Sequence, residues 1–123
     1  MENARLKVIM VDDDRTNLTV ARNMLIENYD IITVSSGEKL FGLLEKLIPS
    51  LILLDIEMPE MNGYEVIKIL KQSDHTAKIP VIFLTALIDP KSEMEGLNLG
   101  AADFIYKPFS QELLLQRIEK HLL

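Results

Sequence analysis

The chain has 123 residues, 48% hydrophobic and 26% charged, with 13 basic against 19 acidic side chains and a formal net charge of −6. That length is one domain with a core large enough to hold without covalent staples, and the absence of cysteine excludes disulfides and thiolate metal sites. The acidic balance argues against direct binding of nucleic acid and suits protein partners, a cation or plain solubility; with no signal peptide and no run long enough to span a membrane, the expected residence is cytoplasmic.

The first apolar run, Lys7–Val11, predicts a strand and ends in Asp12-Asp13-Asp14. A helical stripe of Leu18, Ala21, Leu25 and Asn28 follows, with Asp14 or Thr16 as its N-cap. Ile31–Val34 predicts the second strand. Ser36-Gly37-Glu38-Lys39 opens a second helix carrying Leu40, Leu43, Leu44 and Leu47, which Pro49 ends. Leu51–Leu54 is an unbroken apolar run, the pattern of a strand buried on both faces of a parallel sheet. Asp55 stands at its carboxyl end, and Pro59 and Asn62-Gly63 then turn the chain into a loop.

Tyr64, Ile67, Leu70 and Lys71 mark the third helix, and Pro80–Leu84 the fourth strand, which runs into Thr85-Ala86. The fourth helix extends from Pro90, a favoured first-turn residue, to Gly100, a natural terminator. Asp103–Tyr106 is the fifth strand, half aromatic, and leads into Lys107-Pro108-Phe109. Pro108 either begins the last helix, with Ser110 and Gln111 near its start, or sits in a cis bond that fixes the loop. Leu114, Leu115, Ile118 and Leu122 point that helix at the core.

Strict alternation of strand and helix, without linker or repeat, predicts an α/β fold: a single (βα)5 flavodoxin-like domain over residues 1–123. Its five-stranded parallel sheet is expected in the order 2-1-3-4-5, with helices on both faces. In such sheets ligands bind beyond the carboxyl ends of the strands, at the point where strand order reverses. Strands one and three meet there, which brings Asp12 and Asp13 beside Asp55. Each group alone has an ordinary explanation: Asp14 as a cap, Asp12-Asp13 as dipole partners, Thr85 as a turn residue, Lys107 as a solvated cation. Acids at the same edge of two separate strands are not explained by capping. Three carboxylates require a cation, and oxygen-only ligands favour a hard ion such as Mg²⁺. With Thr85 and Lys107 the edge has the chemistry to accept a phosphoryl group on a carboxylate and hold its oxygens. His75 and His121 form no serine–histidine pair, and there is no glycine-rich phosphate loop.

These residues resemble, over essentially the whole chain, the receiver (phosphoacceptor) domain of two-component response regulators. The signature is distributed: Asp12-Asp13, Asp55 with Met58-Pro59 and Gly63, Thr85-Ala86, and Lys107-Pro108-Phe109. The resemblance implies that Asp55 takes a phosphoryl group from a phosphohistidine of a sensor histidine kinase or histidine phosphotransfer protein. It implies that Asp13, Asp55 and the backbone carbonyl of Glu57 hold Mg²⁺, with Asp12 acting partly through water. Lys107, the Thr85 hydroxyl and the Ala86 backbone N–H would meet the phosphoryl oxygens. The switch aromatic would be Phe104, with Tyr106, on the same side of the strand, as a weaker contributor. The face of helix four, strand five and helix five, with Glu95, Asn98, Phe104 and Gln111 at its surface, would pass the signal to a downstream effector, or to a second copy in a phosphorylation-dependent dimer. Two departures stand out. Glu57 places a further acid next to the site, and Leu87 is apolar where a polar residue would meet water, which predicts shielding of the acyl phosphate.

The chain on this reading is a stand-alone receiver or one excised from a longer regulator, and a switch rather than an enzyme beyond its own phosphorylation and dephosphorylation. Two alternatives compete. Asp12, Asp14 and Thr16 fit the Asp-x-Asp-x-Thr pattern of haloacid-dehalogenase-like phosphatases, with Asp12 as nucleophile, although Arg15 stands where glycine is usual and Asp55 is left unexplained. A non-phosphorylated docking module on the same fold would be favoured by the loss of an acid, Thr85 or Lys107.

Overall fold

The computed structural model describes residues 5–86 and 89–122. Five strands alternate with five helices: β1 (Lys7–Val11), α1 (Arg15–Leu25), β2 (Asp30–Val34), α2 (Gly37–Leu44), β3 (Leu51–Asp55), α3 (Gly63–Gln72), β4 (Val81–Thr85), α4 (Pro90–Asn98), β5 (Asp103–Tyr106) and α5 (Gln111–Leu122). The sheet order is β2-β1-β3-β4-β5, with every neighbouring pair parallel. β1 and β3 are adjacent in the register Val8↔Leu51 through Val11↔Leu54, so the residues that follow, Asp12 and Asp55, emerge side by side.

The sheet is buried on both faces, and side-chain alternation along each strand sorts the core in two. Ile9, Val11, Ile52, Leu54, Val81, Phe83 and Phe104 pack with Leu40 and Leu44 of α2 and Val66, Ile67 and Leu70 of α3. Val8, Met10, Leu51, Leu53, Ile82, Leu84 and Ile105 pack with Ala21 and Leu25 of α1 and Leu114 and Ile118 of α5. Each such aliphatic side chain contributes roughly 1.5–3 kcal/mol on burial, which makes β3, apolar at four consecutive positions, the centre of the fold.

The helix ends differ from the sequence reading in four places, one of them slight: α4 ends at Asn98, and Gly100, at φ +110°, follows its cap. α1 stops at Leu25 because the N–H groups of Asn28 and Tyr29 both turn back to the Leu25 carbonyl, which leaves Asn28 outside the helix and exposed. α2 ends at Leu44, well before Pro49; the N–H groups of Lys46 and Leu47 close a turn on the Leu43 carbonyl, and Leu47 reaches the core from that turn. α5 starts at Gln111 rather than Pro108, since the Ser110 hydroxyl accepts the Leu113 N–H at 3.0 Å and so caps the first turn. The Lys107–Pro108 bond is cis. At α1 the competing caps resolve to Asp14, whose carboxylate accepts the N–H groups of Thr16 and Asn17. Among the described residues no helix is long and apolar enough to cross a membrane.

Candidate functional site

Three strands deliver their charged ends to one edge of the sheet. Asp12 is fully buried, Asp55 is 6% exposed and Asp13 lies open to solvent. One carboxylate oxygen from each falls within 4.8 Å of the others. Lys107, at the end of β5, closes the edge: its Nζ is 2.8 Å from Asp12 Oδ2 and 3.6 Å from Asp55 Oδ1. The other Asp12 oxygen accepts the Asp14 N–H at 2.9 Å, so this buried carboxylate is held on both sides. Burial pushes the Asp55 carboxyl up to about 6, the neighbouring Asp12 adds to that, and the Lys107 ammonium and Ile56 N–H only partly oppose it. One ammonium faces three carboxylates whose donors are all oxygen, a set that fits a hard divalent cation.

The loop after Asp55 is fixed by backbone packing. The Gly63 N–H donates to the Ile56 carbonyl at 2.8 Å, and a Cβ on Gly63 would stand 2.5 Å from the Asp55 carbonyl oxygen and 2.9 Å from Ile56 Cα. Only glycine allows the start of α3 to approach the strand end so closely. Asn62 and Glu65 form a reciprocal capping box at the same turn. Glu57, two residues past Asp55, carries an exposed side chain. On the other side of β3, β4 ends in the fully buried Thr85, whose carbonyl accepts the Lys107 N–H at 2.8 Å. Ala86 and Lys107 together border an apolar groove floored by Val20 and Met24 of α1 with Pro108 and Phe109. Leu87, the expected shield, lies outside the described residues.

Behind Thr85 runs a chain of rings. Tyr64 and Phe83 meet edge to face with centroids 5.7 Å apart, Phe83 and Phe104 are separated by 5.8 Å, and Phe104 and Tyr106 by 5.4 Å. The expectation that Phe104 lies at the surface is therefore corrected: it is 7% exposed and covered by α4, whose Gly96 has no side chain to keep the rings away. Phe104 and Tyr106 do share a face. The Tyr106 hydroxyl donates to the Glu93 carboxylate, and that bond pushes its ionisation up to about 12. The Tyr64 hydroxyl donates to the Ser92 carbonyl at 2.8 Å. Two phenols thus hold the first turns of α4, one from α3 and one from β5. Glu95 and Asn98 are exposed on α4, whereas the Gln111 amide is turned toward α1, donating to the Met24 carbonyl at 2.9 Å.

The five side chains that sequence reasoning assembled, Asp12, Asp13, Asp55, Thr85 and Lys107, all stand at this edge of the sheet. Sequence reasoning missed Tyr64, Ser92, Glu93 and Gly96. The one available signal was Gly96, a glycine inside a helical pattern, which commonly marks a close approach. Asp14 is occupied in capping α1 and Thr16 sits in its first turn, so the Asp-x-Asp-x-Thr pattern assembles no catalytic pair.

Residues 8–119 match the family described as the response regulator receiver domain. A probable cyclic di-GMP phosphodiesterase of Vibrio cholerae is 43% identical over 94% of this chain, which spans 26% of that relative. The chain covers between a quarter and a half of the length of the curated relatives it matches. Among solved structures, the signal receiver domain of a histidine kinase from Syntrophus aciditrophicus superposes with a TM-score of 0.87 at 34% identity, covering 95% of this chain and 89% of that one. The receiver domain of the sensor histidine kinase PA1611 from Pseudomonas aeruginosa PAO1, with a magnesium ion coordinated in its active-site cleft, gives a TM-score of 0.88 at 25% identity, over 97% and 98% of the two chains.

Proposed function

The chain belongs to the response regulator receiver domain family, whose members are phosphoacceptor signalling switches, and from that premise we propose that Asp55 is its phosphoacceptor. The observation that carries this is the Lys107 ammonium, held between Asp12 and Asp55 at the edge where three carboxylate oxygens lie within 4.8 Å. Asp55 attacks the phosphorus of a phosphohistidine on a sensor kinase or phosphotransfer protein, and the imidazole leaves. Lys107 then pairs with the phosphoryl oxygens, and the Thr85 hydroxyl and Ala86 N–H donate to them. Asp13, Asp55 and the Glu57 carbonyl would hold Mg²⁺, with Asp12 assisting. When bound, the ion offsets the charge of the carboxylates and of the incoming phosphoryl group, which is most of what such transfers need.

The output is a shift of population between two arrangements of α4, β5 and α5. A phosphoryl group adds about −1.5 to −2 charge and new acceptor oxygens. Thr85 is drawn to it, Phe104 repacks in the space behind, and Tyr106 follows through its bond to Glu93. The partners of that face are a downstream effector or a second copy of the chain. On this reading the domain catalyses nothing beyond its own phosphorylation and dephosphorylation, and it works in the cytoplasm. Amide NMR of the chain titrated with beryllofluoride in Mg²⁺ tests the proposal. Shifts are expected at Asp55, Thr85 and Lys107 and across α4 and β5; no response in wild type, or an undiminished one in Asp55→Asn, overturns it.

A further inference from the structure

A second concavity, on the α2 side of the sheet, is lined by none of Asp12, Asp13, Asp55, Thr85 and Lys107. It holds about 570 Å³ between α2 and the loop that joins β3 to α3, within the size range of binding clefts. Its apolar floor is Phe41, Pro59 and Met61. The charged residues on its rim are all acidic: Glu38 and Glu45 from α2 and Glu60 from the loop, each exposed. Two glycines shape it. Gly37 is buried where a Cβ would stand 2.9 Å from the Met61 sulfur, so helix and loop are sealed together at one end. Gly42 sits mid-helix, where a Cβ would meet nothing within 4 Å, and leaves the middle of the wall bare.

The loop wall is shaped at some conformational cost. Glu60 has φ +69°, the left-handed region that glycine fills readily, and the Met61 N–H closes a three-residue turn around it on the Pro59 carbonyl at 2.7 Å. This turn sets Glu60 on the rim, with its backbone in a region that residues bearing a side chain adopt infrequently. We propose that this groove docks a short basic segment of a partner protein, in which lysine or arginine side chains flank one large apolar residue. The apolar side chain would fill the floor over Phe41 and Met61, and the cations would meet Glu38, Glu45 and Glu60.

The probe is a short capped peptide of arginines flanking one leucine, labelled for fluorescence anisotropy, with the same peptide carrying glutamates as control. Binding is measured without divalent ion or phosphate analogue, so phosphorylation of Asp55 does not enter, and shifts confined to Asp12, Asp13 and Asp55 would place the peptide at that acidic edge instead. The arginine peptide is expected to bind and to shift amides of α2 and of the β3–α3 loop, and the glutamate peptide to do neither. Gly42→Leu should weaken binding by about tenfold while favouring the helix itself, since leucine replaces a glycine in open space. Neutralising Glu38, Glu45 and Glu60 to glutamine should weaken it by at least about tenfold, and neutralising Glu27, Glu112 and Glu119 by less than about threefold. The inference is overturned if the glutamate peptide binds equally, if the shifts fall elsewhere, if Gly42→Leu binds as wild type does, or if both neutralised sets lose affinity alike.

Discussion

Replacing Asp55 by asparagine should stabilise the metal-free protein, by an amount that depends on pH. Burial, reinforced by Asp12, raises the Asp55 carboxyl from 3.8 to about 6. The native state then holds that proton more tightly than the unfolded chain. Stability therefore falls as pH rises through the window from 3.8 to about 6, and the deficit is complete above it. At about 1.4 kcal/mol for each tenfold change in proton affinity, the ionised carboxylate costs the fold about 3 kcal/mol. The asparagine amide of the variant has no charge to bury. Urea unfolding followed by circular dichroism in EDTA should place Asp55→Asn above wild type by about 3 kcal/mol near pH ~8 and by about 1 kcal/mol near pH ~4.5. Mg²⁺ should narrow the gap at the higher pH by stabilising wild type. A gap of equal size at both pH values, or a variant less stable than wild type throughout, would refute the reasoning.

Other positions carry their own expectations. Lys107→Met leaves the Asp12 carboxylate fully buried without its cation, and urea unfolding should show a loss of about 3 kcal/mol. Gly63→Ala forces a methyl against the Asp55 carbonyl and Ile56 Cα, both backbone atoms that do not yield locally, so a loss of about 2–3 kcal/mol is expected in the same assay. Thr85→Ala should still be phosphorylated on Asp55 but show a blunted response of α4 and β5 to beryllofluoride by NMR; loss of phosphorylation itself would contradict its assigned role. The Tyr106 phenol should ionise at about 12 in an absorbance titration and shift down toward 10.0 in Glu93→Gln, since the Glu93 hydrogen bond is the main cause of its elevation.

The sheet was legible because its information is local: Leu51–Leu54 is apolar at every position, and only a strand covered on both faces uses such a run. The acids were legible for the same reason, since Asp12 and Asp55 each follow an unmistakable strand and the sheet order makes them neighbours. Helix limits were less so. Leu47 continues the stripe of α2, but the stripe records which residues reach the core and not whether the backbone is still helical when they do. Pro108 suited a helix start as well as a cis bond, and the choice belongs to Ser110, whose hydroxyl caps the following turn. Phe104 read as a surface residue because it belongs to the face of helix four, strand five and helix five; its burial comes from α4, laid over it at Gly96. The Tyr106–Glu93 and Tyr64–Ser92 bonds join residues whose proximity only the assembled fold creates.

The central claim is that Asp55 accepts the phosphoryl group, and intact-protein mass spectrometry after incubation with acetyl phosphate and Mg²⁺ tests it most directly. Wild type should gain the mass of one phosphoryl group, lose the gain when EDTA replaces Mg²⁺, and show none in Asp55→Asn. A wild type that gains nothing, or an Asp55→Asn variant that gains as much as wild type, would contradict the account.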